Sequence, residues 1–274
     1  MSVWDAAIIG GGPAGSSLAM FLARAGQKVV VCECDRLPRD KLCGEFLSGE
    51  SRRLLEQLGC LGEIEAVRPA VIDRCRFTAP CGATCETALP SQAFGISRRA
   101  LDRILLRHAE RSGATVVEGA RASALEEQDN GDARVDLRLD HGAHDSLSAR
   151  IVVGAHGRRE PIDRELDRAF LRRRHPYVGL KRHHRPRASG ASLRELDGYV
   201  EVHAFDGGYC GLSRIEGGEV NVCMLVREAF LGGLPSPRWH DVRDAVCRAN
   251  RILASRLDAL HRGAADYGPS DTFA

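Results

Sequence analysis

The sequence predicts an α/β fold: a three-layer domain on a parallel sheet, interrupted by insertions that build an antiparallel sheet. Three observations lead there. Val3 to Ile9 is an apolar run ending in glycine, as a strand buried on both faces does. Lys28 to Cys32, KVVVC, is a second such run, and the stretch between the two has helical length and punctuation. Residues 177–185, 198–205, 208–215 and 219–226 alternate apolar and polar residues at the period of half-buried strands.

Pro13 opens the first helix, where a missing N–H does no harm, and the helix runs to Ala25 with Gly26 as its stop. Strand, helix and strand make a βαβ unit with a right-handed crossover. A polar loop follows from Asp35 to Glu45. Ser48 is placed to cap a helix reaching Leu58, with Gly59 after it. Weak alternation from Cys75 to Glu86 indicates antiparallel strands. Arg98 to Ser112 is helical, with Leu101, Ile104, Leu105, His108 and Ala109 on one face. Gly113 ends it, and ATVVEG returns as a strand. Residues 133–139 and 147–153 pair around DHGAHD, and ARIVVGAHG closes in another glycine turn. Arg238 to Leu260 reads as one helix, and the tail beyond has no periodicity. The implied division is 1–70 and 95–165 for the three-layer domain, 71–94 and 166–235 for the antiparallel substrate-binding sheet, and 236–274 for a helical end and irregular tail.

The 274 residues are 43% hydrophobic, enough for a sizeable core, and a net charge of +2 provides no global field for nucleic acid. The most basic stretch, RRRHPYVGLKRHHRPR from Arg172 to Arg187, alternates like a strand with a charged outer face. Aromatic residues are too sparse in it for a nucleic-acid platform. Its charge suits an anionic substrate or an acidic carrier protein. His183 and His184 do not form a metal site together, because adjacent strand residues face opposite sides. The ten cysteines include no pair of CxxC motifs at zinc spacing, so no metal is expected and the thiols should be reduced and mostly buried. No run approaches the roughly 20 apolar residues of a membrane span, and the first residues lack the features of a signal peptide. These readings predict a cytoplasmic protein.

Gly10, Gly12 and Gly15 form GxGxxG between the first strand and the first helix. The first glycine turns the chain tightly, the second lets a diphosphate approach the backbone, and the third lets helix and strand pack closely. Pro13 and Ala14 lie inside the same turn, at a helix N-terminus whose free N–H groups and partial positive charge attract an anion. Glu33 ends the second strand, 18 residues after Gly15 (33 − 15). A carboxylate there accepts both hydroxyls of an adenosine ribose and repels a 2′-phosphate. These features alone predict a Rossmann-like domain for FAD or NAD.

The flavin enters by resemblance. Gly10, Gly12, Gly15, Ala19 and Gly26 fit the extended pattern GxGxxG-x3-A-x6-G, which resembles the FAD-dependent oxidoreductases of the p-hydroxybenzoate hydroxylase and geranylgeranyl reductase-like superfamily. RLPRDKLCGEFLS, Arg36 to Ser48, is similar to the loop that approaches the flavin in geranylgeranyl reductase-like members, which implies cofactor contacts from Lys41, Cys43 and Gly44. SRRALDRILLRHAERSGATVVEG resembles the family's Arg-x-x-(Leu/Phe)-Asp helix and strand. Arg98 there matches an arginine that contacts FAD, and Ala122, just beyond, joins the implied contacts. ARIVVGAHGRRE is similar to the family's Ala-Asp-Gly-x-x-Ser segment. The resemblance covers residues 1 to about 230. Cys43 is implied either to tune the flavin, to shape the substrate pocket or only to pack, and Glu45 is a candidate acid or base. No catalytic side chain is assigned, because the flavin carries the redox chemistry.

Two departures from the family pattern matter. His156 stands where most relatives have Asp, and Glu160 where they have Ser, which bears on the use of NADPH. A Gly-Asp followed after a spacer by Pro is missing from Arg238 onward, and YGPSDTFA is not that motif. The expectation is a chain shortened at its C-terminal end, with an unpaired strand edge, weaker FAD binding and lower solubility. The resemblance implies FAD-dependent oxidoreduction of a small apolar substrate of polyketide or isoprenoid type, with NAD(P)H as electron donor. Flavin hydride transfer to a C=C bond and hydroxylation through a flavin hydroperoxide both remain open. The alternative is a catalytically inactive remnant with weak or no FAD binding.

Overall fold

A computed structural model of the chain describes residues 3–157, 161–173, 176–187, 191–236 and 238–261. Along the chain run β1 (Trp4–Ile9), α1 (Pro13–Arg24), β2 (Val29–Glu33), β3 (Phe46–Leu47), α2 (Ser51–Leu58), α3 (Leu61–Ala66), β4 (Ala70–Thr78) and β5 (Thr84–Gly95). Then come α4 (Arg98–Arg111), β6 (Thr115–Glu118), β7 (Ala120–Glu127), β8 (Ala133–Leu139), β9 (His144–Gly154) and α5 (Pro161–Glu165). The last elements are β10 (Tyr177–His184), β11 (Gly198–Phe205), β12 (Gly208–Arg214), β13 (Val220–Arg227), α6 (Glu228–Gly232), α7 (Trp239–Ala249) and α8 (Arg251–Asp258). They gather into two compact units: Met1–Arg39, Leu55–Glu63 and Arg99–Arg174 in the first, and Asp40–Leu54, Ile64–Arg98 and His175–Ala274 in the second.

The first unit is built on a six-stranded sheet of order β6-β2-β1-β9-β8-β7. β6, β2, β1 and β9 run parallel, and β9, β8 and β7 form an antiparallel meander. The crossover through α1 makes β1 and β2 parallel neighbours, as the βαβ pattern predicts. Alternate residues of the central strands serve the two faces. Ala7, Ile9, Val30 and Cys32 pack with Ala122, Val135 and Ile162 on one face, while Ile8 lies against Gly15 of α1 on the other. Both faces are dry, so the strands read as continuous apolar runs. β9 changes partners along its length: His144 to Ala149 pair with β8, and Ala149 to Gly154 pair with β1. Beyond Ala149 its other edge has no strand partner among the described residues, and Ile151 there is 61% exposed.

The second unit carries a seven-stranded sheet of order β10-β13-β12-β11-β4-β5-β3. All pairs are antiparallel except β11 with β4. One face packs Leu180, Leu212, Val222 and Met224 against Trp239, Val242 and Val246 of α7 and Leu253 and Leu257 of α8. Each such fully buried side chain contributes roughly 1.5–3 kcal/mol relative to exposure.

Several expectations need correction. The helix at Ser48 starts instead at Ser51, because Phe46 and Leu47 pair with Phe94 and Gly95 as β3 and a turn from Ser48 to Ser51 follows. The single helix from Arg238 to Leu260 is two, broken at Asn250. That residue is extended (φ −145°), and its Oδ1 accepts from the N–H groups of Ile252 and Leu253, both at 3.1 Å. Asparagine competes well as an N-cap, so a second helix starts where the first would have continued. Lys181 is not on a solvated outer face: it is 3% exposed, covered by the Asp40–Leu54 segment of its unit. All ten cysteines are free thiols, but only Cys32, Cys60, Cys75 and Cys210 are buried, and Cys81 and Cys85 are exposed. No helix of the described residues is long and apolar enough to cross a membrane.

Candidate dinucleotide site

The turn between β1 and α1 has room for backbone only. Gly10 is left-handed (φ +108°), and a Cβ on it would lie 2.6 Å from the carbonyl oxygen of Ala155. A Cβ on Gly15 would lie 1.9 Å from the carbonyl oxygen of Gly10. Gly12 is the extended N-cap of α1, and no side chain caps the helix. Pro13 occupies the first turn, which also holds no acidic residue. Ser16 stiffens the turn by donating from Oγ to the carbonyl of Gly11 at 2.9 Å. The result is a smooth helix N-terminus whose N–H groups await an acceptor, the chemistry that suits a diphosphate. Gly15→Ala is expected to force the turn apart, at a cost of about 1–3 kcal/mol or more. Calorimetry should show a lower Tm, and a fluorescence titration should show no saturable FAD binding.

Glu33 is placed beside this turn by the parallel pairing of β2 with β1. It is 2% exposed. Its Oε2 accepts from the N–H of Gly11 at 2.7 Å. Its Oε1 accepts from the N–H of Asp35 at 3.1 Å, from Arg39 at 3.2 Å and from the Cys34 thiol at 3.4 Å. Burial pushes this carboxyl up, but the Arg39 guanidinium and the Gly11, Asp35 and Cys34 donors outweigh it and hold it below the usual range. Glu33 is therefore a fixed anion beside the turn. Glu33, Cys34 and Asp35 also bring three possible metal-ligand atoms within 4.8 Å of one another. Arg39 pairs with both carboxylates, at 3.2 Å and 2.7 Å, so a guanidinium already stands where a cation would sit.

A cleft of about 330 Å³ opens in the same unit, lined by Leu37, Leu106, Val116, Glu118, Arg103 and Arg107 among others. Leu106 also borders Gly11, so the cleft adjoins the turn. Leu37 is tied at both ends of its backbone: its N–H donates to Glu118 at 2.8 Å and its carbonyl accepts from Arg103 at 2.6 Å.

Gly10, Gly12, Pro13, Ala14, Gly15 and Glu33 thus come together in the first unit. Ala122 lies in β7, 3% exposed and paired with Leu137 in the sheet core. Arg98, Lys41, Cys43 and Gly44 belong to the second unit, where the N–H of Arg98 donates to Glu45 and the carbonyls of Lys41, Cys43 and Gly44 accept from Lys181 and Asn221. His156 follows β9, with Nδ1 3.7 Å from Oδ2 of Asp163, and neither of these buried atoms has a hydrogen-bond partner among the described residues. Glu160 and the tail from residue 262 lie outside the described residues. Reading the sequence missed the contributions of Gly11 and Arg39. Arg39 left one signal, its position four residues after Asp35.

A family model described as an FAD binding domain matches residues 4–177. The chain belongs to this family. Its curated relatives include the menaquinone reductase of Mycobacterium tuberculosis, 31% identical over 247 residues that cover 81% of this chain and 55% of that protein. Another is the 1H-pyrrole-2-carbonyl-[peptidyl-carrier protein] chlorinase of Pseudomonas fluorescens, 29% identical over 60% of this chain and 41% of that one. The chain therefore spans about half the length of such relatives. Among solved structures, the myxobacterial chondrochloren halogenase CndH superposes with a TM-score of 0.83 at 21% identity, over 100% of this chain and 63% of that one. The halogenase PltM, solved with phloroglucinol and FAD, superposes with a TM-score of 0.76 at 16% identity, over 94% of this chain and 58% of that one. The fold is that of these FAD-dependent enzymes, and the resemblance to the p-hydroxybenzoate hydroxylase-like superfamily holds.

Proposed function

We propose that this FAD binding domain holds FAD by its adenosine and diphosphate and serves the cytoplasmic oxidoreduction of a small apolar substrate. The carrying observation is the uncapped N-terminus of α1 beside the buried Glu33 anion. In this reading the first turn of α1 takes the diphosphate, Glu33 takes the ribose hydroxyls, and the cleft beside Leu106 takes the adenine. Arg98, Ala122, Lys41, Cys43 and Gly44 are further contacts on the strength of the family resemblance.

Bound FAD would supply a two-electron carrier able to pass hydride to a C=C bond. The chain's own part is to place and select it. Gly10 and Gly15 let the turn close on its own backbone, Gly12 at the N-cap keeps a side chain out of the diphosphate's path, and Glu33 favours free ribose hydroxyls over a 2′-phosphate. Reduction of an isoprenoid-type substrate is favoured over hydroxylation by the menaquinone reductase relative. A carrier-borne substrate is a second option, in keeping with the chlorinase relative's name. NAD(P)H is the proposed donor.

The test is the visible absorption spectrum of the purified chain before and after adding FAD. A bound-flavin spectrum supports the reading, and anaerobic NAD(P)H oxidation with an apolar quinone would then support reduction. NADPH oxidation coupled to oxygen uptake would point to hydroxylation. One rival reading is a catalytically inactive protein that binds FAD weakly or not at all; among the described residues, the edge of β9 beyond Ala149 has no strand partner. A colourless protein that gains nothing from added FAD supports that rival.

A further inference from the structure

The Lys41–Glu45 segment is fastened to the sheet of the second unit by side chains far away in sequence. The Glu45 side chain is 0% exposed. Its Oε1 accepts from Lys181 Nζ at 2.5 Å and from the N–H of Arg98 at 2.8 Å. Its Oε2 lies 2.5 Å from His183 Nε2. Lys181 and His183 are two residues apart on β10, so they share one face of the sheet. Lys181 also donates to the carbonyl of Lys41 at 3.0 Å. Asn221, paired with His183 across β10 and β13, donates to the carbonyls of Cys43 at 3.2 Å and Gly44 at 2.9 Å. Leu42 sits over Gly179, where a Cβ would come within 2.3 Å of its Cδ2. Glu45 itself is held left-handed (φ 54°), which a side chain rarely adopts without support.

The fastening is one-sided. Carbonyls of Lys41, Cys43 and Gly44 are taken by Lys181 and Asn221, whereas no described group accepts from the N–H groups of Leu42, Cys43 or Gly44. Gly44 is exposed, and nothing lies within 4 Å of where its Cβ would be. An acid or base must reach the reacting atom, and the Glu45 side chain has no exposed surface from which to do so.

We infer that Glu45 is a positioning residue: with Lys181, His183 and Asn221 it holds the carbonyls of the Lys41–Gly44 loop against the sheet and leaves the loop's amide edge for a ligand with acceptor atoms. The inference does not depend on the cofactor reading, and its test uses the full chain without FAD. Iodoacetamide labelling is followed peptide by peptide, with the exposed Cys85 as internal reference for the partly exposed Cys43. Glu45→Gln and Lys181→Met are expected to raise the Cys43-to-Cys85 rate ratio by about tenfold, with the far-UV spectrum retained, because the loop opens locally. Lys181→Arg, which keeps the charge and the donors, is expected to return the ratio to near wild type. Asn221→Leu releases two carbonyls without stranding a buried charge, so it serves if Glu45→Gln does not fold, and it too raises the ratio. Glu45 as general structural support would lower Tm alike in all variants while leaving the ratio and the arginine rescue unmoved. An unchanged ratio in Asn221→Leu and Lys181→Met overturns the inference.

Discussion

Glu33→Ala is expected to weaken FAD binding roughly ten- to a hundredfold, the equivalent of about 1.5–3 kcal/mol for hydrogen bonds to a charged acceptor. The substitution removes the acceptor for the ribose hydroxyls. It also frees the Gly11 N–H and leaves the Arg39 guanidinium with Asp35 alone among the described residues. A loss confined to the ribose would be matched by Glu33→Gln, which keeps an acceptor oxygen but no charge. The full loss in alanine and a partial loss in glutamine would show that Glu33 both binds the ribose and fixes the turn. Flavin fluorescence quenching measures both. Competition adds a sign: ADP should displace FAD from the wild type, and adenosine 2′,5′-bisphosphate should not. Glu33→Ala should reduce that discrimination, because the repelling anion is gone. Equal FAD affinity in Glu33→Ala and wild type would remove the ribose role altogether.

Local patterns carried most of what the sequence revealed. The glycine turn, Pro13 and the apolar runs on either side lie within 33 residues of the start, so strand, turn, helix, strand and acid are legible in order. The four strands from Tyr177 to Arg227 are legible because each has one face on the α7–α8 core and alternates accordingly. β7 is not legible. ARASALEE is made largely of residues that suit helices, and only pairing with β8 decides for a strand. The break at Asn250 is the reverse case, in which one capping residue overrides a periodic stretch. The loop at Lys41–Glu45 shows a third limit. Its motif is readable, but its partners Lys181 and His183 lie 136 and 138 residues from Glu45, and no spacing rule spans that distance. The same contact buried Lys181, which alternation alone placed on an outer face.

Acidification is expected to destabilise the second unit in two stages, the first of which belongs to one histidine. His184 ends β10, is 6% exposed and stacks on Trp239 with ring centroids 5.6 Å apart. Its Nδ1 meets the carbonyl of His261 at 3.1 Å, and its buried Nε2 has no partner among the described residues. Burial lowers its pKa from 6.5 to about 4, the His261 carbonyl opposes this, and Arg182, Arg243 and His183 add to the lowering. The unfolded chain therefore takes the proton first. Stability falls as pH drops from 6.5 towards 4, by about 3 kcal/mol in all for a shift of this size. Glu201 sets the second stage. Burial raises its carboxyl, but hydrogen bonds and charge from His203 and Arg256 outweigh that and bring it from 4.5 to about 2. A lowered carboxyl stabilises above its unfolded value, and that stabilisation disappears as pH falls from 4.5 to 2. Denaturant unfolding at pH 7.5 and pH 5 samples the first stage, since the Glu201 window begins below both values. The reporter is Trp239, read in a Trp4→Phe background because the chain has two tryptophans. His184→Phe keeps a ring against Trp239 and has no proton to gain, so it should lose less stability than the parent between the two pH values. An equal loss in His184→Phe and the parent would remove His184 from the first stage.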